Sequence, residues 1–235
     1  MALLARFAED PTAAALFLDV DGVLAPIVPR PEDARVPNET RAELRRLDAR
    51  YELVACISGR AGEDAERIVG VPELVYVGNH GLELEPEAEE WATRLTTFLA
   101  DLDWPRLEDK ELTAALHYRD QPDEQEARAK LEAIAAGARA QGFVARFGRK
   151  VLEILPPLKA DKGTAVRRLL DEQGIRRALY GGDDTTDLDG FRALDGLEVS
   201  VRIAVLSREG PGALYEAADL TVDGPAEFLQ LLRRL

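Results

Sequence analysis

The sequence predicts an α/β protein built on a parallel-sheet core, with a smaller α+β domain inserted into it. Short apolar runs alternate with amphipathic helical segments before residue 84 and again after residue 157, as in chains that form parallel sheets. The early runs end at polar, glycine-containing corners, which favours a site at the carboxyl ends of the strands. Between these segments the order changes to helix, strand, helix and hairpin. We therefore expect a core at 1–83 and 158–235, with an inserted domain at 84–157.

The individual elements follow from runs, caps and breakers. Before the insert we expect, in order, a strand at 13–18, a helix at 38–50 capped by Asn38, a strand at 53–57, a helix at 62–69 and a strand at 74–77. Within it we expect a helix at 87–102, a strand or turn plus strand at 108–119, a helix at 124–140 and a hairpin of 143–147 with 151–155. After it we expect helices at 162–173, 186–194, 211–217 and from 225, with strands at 177–180, 199–205 and 220–222.

Composition limits the possible partners and compartments. The 235 residues carry a formal net charge of −14, which argues against nucleic acid or an anionic membrane as the main partner. One cysteine, Cys56, lies in an apolar run and has no second cysteine to pair with, which suits a reducing cytoplasm. We find no long apolar span and no basic-then-apolar leader, and therefore expect a soluble cytoplasmic protein. Two histidines and one cysteine argue against a zinc site.

The stretch from Leu16 to Leu24 carries the first chemical signal. An apolar run stops at Asp19, and Asp21 and Gly22 follow directly. Side chains two apart in an extended chain point to the same side, so the two carboxylates repel unless a cation or a proton lies between them. Hard oxygen ligands favour Mg²⁺ over zinc, and a carboxylate can attack phosphorus. The alternative is a polar turn after a strand, whereas a calcium loop would need acidic ligands where Phe17 and Val28 stand.

Three further corners carry polar groups in the same chain order. Ser58 precedes a helix N-terminus, a natural anion site, and Lys162 opens a helix where its charge can meet a phosphate. Asp183, Asp184 and Asp187 follow a late strand and offer more ligands for a cation. Taken one at a time, Ser58 could be only a helix cap, Lys162 a solvated side chain, and the three aspartates a capped turn. Their combination on an alternating α/β pattern is much more specific.

These motifs resemble a known family. Asp-Val-Asp-Gly at 19–22, Ser-Gly-Arg at 58–60, Lys162 and Gly-Asp-Asp at 182–184 are similar to the four motifs of the haloacid dehalogenase (HAD) superfamily of phosphatases. More narrowly, the chain resembles the trehalose-6-phosphate phosphatases. The stretches that carry this narrower likeness are 24–27, 57–60, 78–81, 107–110 with 117–119, 151–156, 161–163 and 182–187. The resemblance implies a HAD-like Rossmannoid core, with the insert as a cap domain that selects the substrate.

The resemblance also implies a reaction: hydrolysis of trehalose 6-phosphate to trehalose and phosphate through an aspartyl-phosphate. Asp19 would attack phosphorus. Asp21 would protonate the departing sugar oxygen and then take a proton from water. Ser58 and Lys162 would bind phosphoryl oxygens. Val23 departs from the threonine common at this position in the superfamily, which removes a hydroxyl but no reacting group.

The implied cofactor is Mg²⁺. It would lie between Asp19, the backbone carbonyl of Asp21, and Asp183. Asp184 or Asp187 would hold metal-bound water or the neighbouring lysine.

Candidate substrate ligands are divided between core and insert. In the insert we favour Glu153 for the sugar hydroxyls, although an outward-facing strand residue would show the same pattern; weaker candidates are Glu108, Lys110, His117, Arg119 and Arg146. The core candidates are Gly22, Gly59, Arg60, Asn79 and His80. His80 could equally be a structural residue at a hinge.

Several alternatives stay open at this stage. The substrate could instead be a phosphate of sucrose, mannosyl-glycerate or glucosyl-glycerate, or the chain could be a silent relative that only binds sugar phosphate. The intact set of Asp19, Asp21, Lys162 and Asp183 argues against a silent relative. A dinucleotide-binding dehydrogenase is disfavoured because no Gly-x-Gly-x-x-Gly follows the first strand. The expected partners are a sugar phosphate and a trehalose-phosphate synthase, and the expected state is a monomer.

Overall fold

The computed structural model describes residues 2–148, 150–207 and 210–235. The chain forms two compact units, which we call the core unit (Met1–Gly81 with Ala160–Leu235) and the insert unit (Leu82–Lys159). The boundaries expected from the sequence, after 83 and before 158, lie close to these divisions. The functional division between the two units stays a prediction.

The secondary structure alternates as the pattern indicated. Up to residue 81 the elements are α1 (Ala2–Phe7), β1 (Ala14–Leu18), α2 (Asn38–Asp48), β2 (Leu53–Ile57), α3 (Gly62–Val69) and β3 (Val75–Val77). The insert unit contains α4 (Ala88–Leu99), β4 (Leu107–Asp109), β5 (Ala114–His117), α5 (Glu124–Ala140), β6 (Val144–Gly148) and β7 (Val151–Leu155). The chain continues with α6 (Lys162–Gln173), β8 (Arg177–Gly182), α7 (Asp187–Ala193), β9 (Val199–Leu206), α8 (Gly212–Ala217), β10 (Leu220–Asp223) and α9 (Gly224–Leu232).

Two local expectations about helices were wrong. The sequence analysis assigned no helix before the first strand, yet α1 forms there and buries Leu4 and Phe7. Asn38 was expected to cap α2, but the helix follows Pro37 and Asn38 is its first residue. None of the described helices is both long enough and apolar enough to cross a membrane.

The core unit holds a six-stranded sheet in the order β10-β9-β8-β1-β2-β3, and all its neighbouring strands are parallel. Every residue of β1 is buried, as expected for a central strand covered on both faces. Leu18, at the end of β1, has no exposed surface, and such burial stabilises the fold by roughly 1.5–3 kcal/mol. Because β2 and β8 flank β1, residues that follow these three strands emerge at one edge of the sheet.

The insert unit is a four-stranded antiparallel sheet in the order β4-β5-β7-β6. The region at 108–119, left open between one strand and a turn plus strand, forms parts of β4 and β5. One face of the sheet packs on α4 and α5 through Leu95, Leu131, Leu116 and Leu152, which are all fully buried. The observed architecture confirms an α/β fold with a parallel-sheet core and a second, smaller α+β unit.

Candidate active site

Asp19 lies directly after β1 and forms an acidic group with the side chains of Asp183 and Asp187. Its backbone N–H donates to the carbonyl of Gly181 at 3.0 Å, which extends the pairing of β1 with β8 by one residue. Its Oδ1 accepts the N–H of Val20 at 2.8 Å. Only 6% of Asp19 is exposed, so its carboxylate is nearly inaccessible to solvent, and the hydrogen bond from Val20 holds it in place.

Gly22 lies in the loop after Asp19, where its backbone packs closely against the side chain of Asp183. The loop is tight, with Gly22 N–H donating to the carbonyl of Ala25 at 2.8 Å. Gly22 has a φ of +80°, and a Cβ there would lie 2.1 Å from Oδ2 of Asp183. Only glycine therefore combines this backbone conformation with so close an approach. The next residue, Val23, is fully buried in the core cluster, so a position where the superfamily often has threonine contributes to packing here.

Gly22→Ala is expected to displace Asp183 from the acidic group. The methyl group cannot occupy the space that the carboxylate fills, and the backbone would be strained as well. We expect the activity implied by the resemblance, Mg²⁺-dependent hydrolysis of a phosphate ester, to fall by about 100-fold or more, since a misplacement of about 1 Å can cost that much. Isothermal titration would measure the affinity for Mg²⁺, which the displacement of Asp183 should weaken. Initial rates would measure the fall in activity. Gly174→Ala is the control, because Gly174 also has a positive φ, +66°, but nothing lies within 4 Å of its added Cβ. Equal losses of activity in both variants would contradict the assignment of Gly22 as the residue that makes room for Asp183.

Lys162 joins two of the buried carboxylates. Its Nζ lies 2.9 Å from Oδ2 of Asp19 and 2.7 Å from Oδ1 of Asp187, and its side chain is 2% exposed. The start of α6 fixes its position, because Asp161 accepts the N–H of Thr164 at 2.7 Å in a reciprocal capping box. A helix start thus places an ammonium group beside the carboxylates.

Asp187 is a saturated acceptor. Besides Lys162, its Oδ1 accepts the hydroxyl of Tyr180 at 2.8 Å. Its Oδ2 accepts the backbone N–H groups of Asp183 and Asp184, both at 2.9 Å. These four bonds use the oxygens of Asp187 to hold the corner after β8 and the lysine in place.

The electrostatics of this group follow from burial and from an excess of acidic side chains. Burial raises the pKa of Asp19 to about 8, although Lys162 opposes the shift. Burial and the carboxylate of Asp187 raise the pKa of Asp183 to about 7. Burial opposes the charge on Lys162, but the attraction of Asp19 and Asp187 outweighs it and raises the pKa of the ammonium. When all are ionised, three carboxylates and one ammonium leave two uncompensated negative charges.

A divalent cation matches this arrangement. Asp19, Asp183 and Asp187 each offer an oxygen, and these atoms all lie within 4.8 Å of one another. Because the oxygens of Asp187 already accept four hydrogen bonds, Asp19 and Asp183 are the better ligands. Carboxylate oxygens without histidine or cysteine suit Mg²⁺.

Asp21 takes a different position from Asp19. Both its oxygens accept from Arg60, Oδ2 from Nε at 2.6 Å and Oδ1 from Nη2 at 2.8 Å. Arg60 also donates from Nη1 to Asp64 at 2.8 Å. The side chain of Asp21 thus contacts Arg60, and the expected metal contact of this residue was through its backbone carbonyl.

The turns after β2 and β3 are hydrogen-bonded to each other. Ser58 is 1% exposed, and its Oγ accepts the N–H of Arg60 at 3.2 Å. The N–H of Asn79 donates to the carbonyl of Arg60 at 2.7 Å, and that of His80 to the carbonyl of Ser58 at 2.9 Å. Asn79 and His80 both have positive φ, 51° and 56°, a conformation that is uncommon outside glycine but that asparagine and histidine adopt more often than most residues. A Cβ on Gly59 would lie 2.6 Å from the ring of His80, so that ring packs on the Ser-Gly-Arg turn.

Asp184 lies at the margin of the acidic group. It is exposed, and its Oδ1 accepts the N–H of Thr185 at 2.5 Å. Among the two residues expected to support a metal-bound water or the lysine, Asp187 is therefore the one that contacts Lys162.

Strand register places four insert candidates on the sheet face opposite α4 and α5, namely Glu108, His117, Arg146 and Glu153. Lys110 follows β4, and Arg119 follows β5 and is exposed. Strand register places Glu153 between Ala115 and Arg146, and the Nε of Arg146 lies 2.7 Å from Oε2 of Glu153. On β4, Glu108 contacts two more candidates: its Oε1 lies 3.6 Å from Nζ of Lys110 and its Oε2 lies 3.2 Å from Nε2 of His117.

Sequence reasoning missed Tyr180 and Asp64. Tyr180 was counted only as a strand residue, although a buried hydroxyl needs a partner, and that requirement could have pointed to the acidic corner that follows it. Asp64 lies in the first turn of α3, where an acidic residue is common on helix-dipole grounds alone. Its contact with Arg60 depends on the fold.

Comparison of the sequence with known proteins identifies related phosphatases. The family model described as Trehalose-phosphatase matches residues 17–226. A trehalose-phosphate phosphatase of Mycobacterium avium is 32% identical over 246 residues, covering 94% of this chain and 61% of the relative. Trehalose 6-phosphate phosphatase RA3 of Zea mays is 29% identical, covering 94% of this chain and 69% of the relative. The chain thus spans about three fifths of the length of the mycobacterial relative.

Solved structures share the fold. A trehalose-6-phosphate phosphatase of Aspergillus fumigatus superposes with a TM-score of 0.65 at 24% identity, over 99% of this chain and 96% of that one. A haloacid dehalogenase-like hydrolase of Bacteroides thetaiotaomicron gives a TM-score of 0.60 at 16% identity, over 94% of this chain and 98% of that one. These superpositions confirm the expected HAD-like fold. Since the family model matches most of its length, the chain belongs to the trehalose-phosphatase family.

Proposed function

We propose that this protein is a Mg²⁺-dependent phosphatase that hydrolyses trehalose 6-phosphate to trehalose and phosphate. The observation that carries the proposal is the buried group of Asp19, Lys162 and Asp183 at the carboxyl edge of the parallel sheet, in a chain of the trehalose-phosphatase family. A buried carboxylate beside a fixed ammonium and a cation site is the arrangement that phosphoryl transfer to an aspartate needs.

The donor set fits Mg²⁺ in chemistry and in charge. Asp19 and Asp183, with the backbone carbonyl of Asp21, would hold the ion, and its two positive charges would balance those left by the buried carboxylates. When bound, it would neutralise the negative charge that otherwise repels a phosphate ester from Asp19.

Each residue then has a role in a balanced reaction. A carboxylate oxygen of Asp19 attacks phosphorus, the bond from phosphorus to the sugar oxygen breaks, and Asp21 gives that oxygen a proton. Water then attacks the aspartyl-phosphate, passes a proton to Asp21, and releases phosphate and free Asp19. Ser58 and Lys162 bind phosphoryl oxygens, and Asp187 keeps Lys162 in position.

Selection of the sugar is assigned to the charged face of the insert sheet. Glu153 would accept hydrogen bonds from sugar hydroxyls, with Lys110, Arg119 and Arg146 as further ligands. Glu153 already pairs with Arg146, and this pair is partly exposed, so a sugar can compete for it at modest cost.

The proposed setting is the cytoplasm, with the protein acting as a monomer on the product of a trehalose-phosphate synthase. A buried, unpaired Cys56 suits a reducing compartment. The acidic net charge of −14 suits a small-molecule substrate rather than a nucleic acid.

Initial rates on a panel of esters test the substrate. With Mg²⁺ present, we expect kcat/KM for trehalose 6-phosphate to exceed that for the phosphates of sucrose, mannosyl-glycerate and glucosyl-glycerate by about 10-fold or more, the range that a few lost sugar contacts produce. Equal turnover of all four would reject the narrow substrate assignment. Tight binding of a sugar phosphate without turnover of any ester would favour the silent relative.

A further inference from the structure

The ion pair between Arg60 and Asp21 is an interaction that the proposed reaction leaves unexplained. The guanidinium of Arg60 binds the carboxylate of Asp21 in a bidentate geometry: Nε donates to Oδ2 at 2.6 Å and Nη2 donates to Oδ1 at 2.8 Å. Such paired bonds fix the plane of a carboxylate as well as its position. Since Asp21 would transfer a proton at a defined point in space, its orientation matters more than its charge alone.

Arg60 is itself held at three points. Its side chain donates to Asp64 in the first turn of α3 at 2.8 Å. Its backbone N–H donates to the hydroxyl of Ser58, and its carbonyl accepts from Asn79. The side chain of Arg60 is only 16% exposed. It is therefore a rigid support rather than a mobile surface charge.

The pairing leaves Asp21 able to react. A carboxylate has about four lone-pair sites, of which a guanidinium uses two. The side chain of Asp21 is also 38% exposed, so one side of the carboxylate is reachable. Arg60 can thus stay bound while Asp21 carries, on a remaining lone pair, the proton that it gives to the ester oxygen and later regains from water.

We propose that Arg60 is a positioning residue that orients Asp21 for proton transfer to the departing sugar oxygen, with Asp64 as its anchor. This inference rests on the proposed function, because it assigns Arg60 to one step of that reaction. It differs from the expectation that Arg60 binds substrate directly: three of its five N–H groups donate to carboxylates, and a comparison of two esters separates the two roles.

The test compares two esters that differ in one bridging atom. Trehalose 6-phosphate needs a proton on its leaving oxygen, whereas the phosphorothiolate with sulfur at that bridge releases a thiolate that needs none. The ratio kcat/KM reports the steps up to departure of the leaving group. We expect Arg60→Met to lower kcat/KM for the oxygen ester by ~10–100-fold, part of the usual contribution of general acid catalysis, and that for the sulfur ester by less than ~3-fold. Arg60→Lys keeps the charge without the paired donors and should show the same selective loss.

Arg67→Met is the matched control. Arg67 also pairs with Asp64 but is 51% exposed, so its removal should change neither ester. Asp64→Asn should give a smaller loss than Arg60→Met, again confined to the oxygen ester. Circular dichroism and melting temperature of each variant establish that it is folded.

The outcomes separate the two proposals. If the wild type hydrolyses trehalose 6-phosphate and Arg60→Met lowers both esters equally, Arg60 binds the phosphoryl group or supports the site generally, and the positioning role is wrong. No loss on either ester would reject it too. A wild type that does not hydrolyse trehalose 6-phosphate overturns the proposed function, and with it the step assigned to Arg60.

Discussion

Asp19→Asn is expected to lower the hydrolysis of trehalose 6-phosphate by about four orders of magnitude or more, as the loss of a covalent nucleophile does in other hydrolases. An amide nitrogen or carbonyl does not form the acyl-phosphate that a carboxylate forms. The same change removes one of the proposed Mg²⁺ ligands. Because the nucleophile itself is also lost, activity should not return when the Mg²⁺ concentration is raised.

The fold of this variant should be retained. Asp19 is buried, and burial raises its pKa to about 8, so the charged form is disfavoured at this position. An amide of the same shape removes that cost, although it weakens the contact with Lys162. Asp171→Asn, at an exposed position of α6, is the matched control and should retain full activity. An Asp19→Asn protein with substantial activity, freshly purified and free of deamidation by mass, would show that another group is the nucleophile.

Lys162→Met is expected to have the largest effect on stability. It removes the ammonium that contacts both Asp19 and Asp187, so two buried carboxylates lose their cationic partner. Breaking a buried pair from one side costs about 3–5 kcal/mol of the free energy of unfolding. Phosphatase activity should fall by about 100-fold or more, because the charge that we propose to stabilise the transferring phosphoryl group is also lost.

Denaturation followed by far-ultraviolet circular dichroism would measure this loss of stability. Tryptophan fluorescence is less suitable, because Trp91 and Trp104 both lie in the insert unit. Lys130→Met is the matched control: Lys130 pairs with Glu126 at 2.8 Å on an exposed face of α5, where such a pair contributes about 0–1 kcal/mol. Equal stability of the two methionine variants would contradict the buried pairing of Lys162.

Much of the fold follows from local pattern. β2, α3, α5 and α6 begin and end where the sequence analysis placed them, because apolar runs, helix periodicity and caps fix them locally. The helix α1 was missed because six residues give too little periodicity, and its Leu4 and Phe7 become buried only by tertiary packing. The start of α2 was misjudged because Asn38 can occupy either the cap or the first turn.

The candidate site was predictable in part for a topological reason. Residues after adjacent parallel strands must meet at one edge, so the proximity of Asp19 to the corner after β8 follows from the strand pattern. The pairing of Arg60 with Asp21 joins residues 39 apart, and no periodicity encodes it. Likewise, the hydroxyl of Tyr180 reaches Asp187 only because the chain turns sharply between them.

The left-handed backbone at Asn79 and His80 was also not predicted, although asparagine and histidine adopt it more often than most residues. Glycine at 81 accounts for one such residue, but the two before it adopt positive φ because their N–H groups bind the carbonyls of the Ser-Gly-Arg turn. Tertiary hydrogen bonds thus fix a conformation that residue type alone only permits.

The most direct test of the account is to trap the phosphorylated protein. The enzyme is mixed with trehalose 6-phosphate and Mg²⁺, quenched in acid within the first turnover, and digested for peptide mass analysis. We predict that the peptide containing Asp19 gains the mass of one phosphoryl group, that the gain requires Mg²⁺, and that it is absent from Asp19→Asn. Release of phosphate at the wild-type rate with the phosphoryl group on another residue, or equally fast without a divalent cation, would contradict the assignment of Asp19 and its metal site.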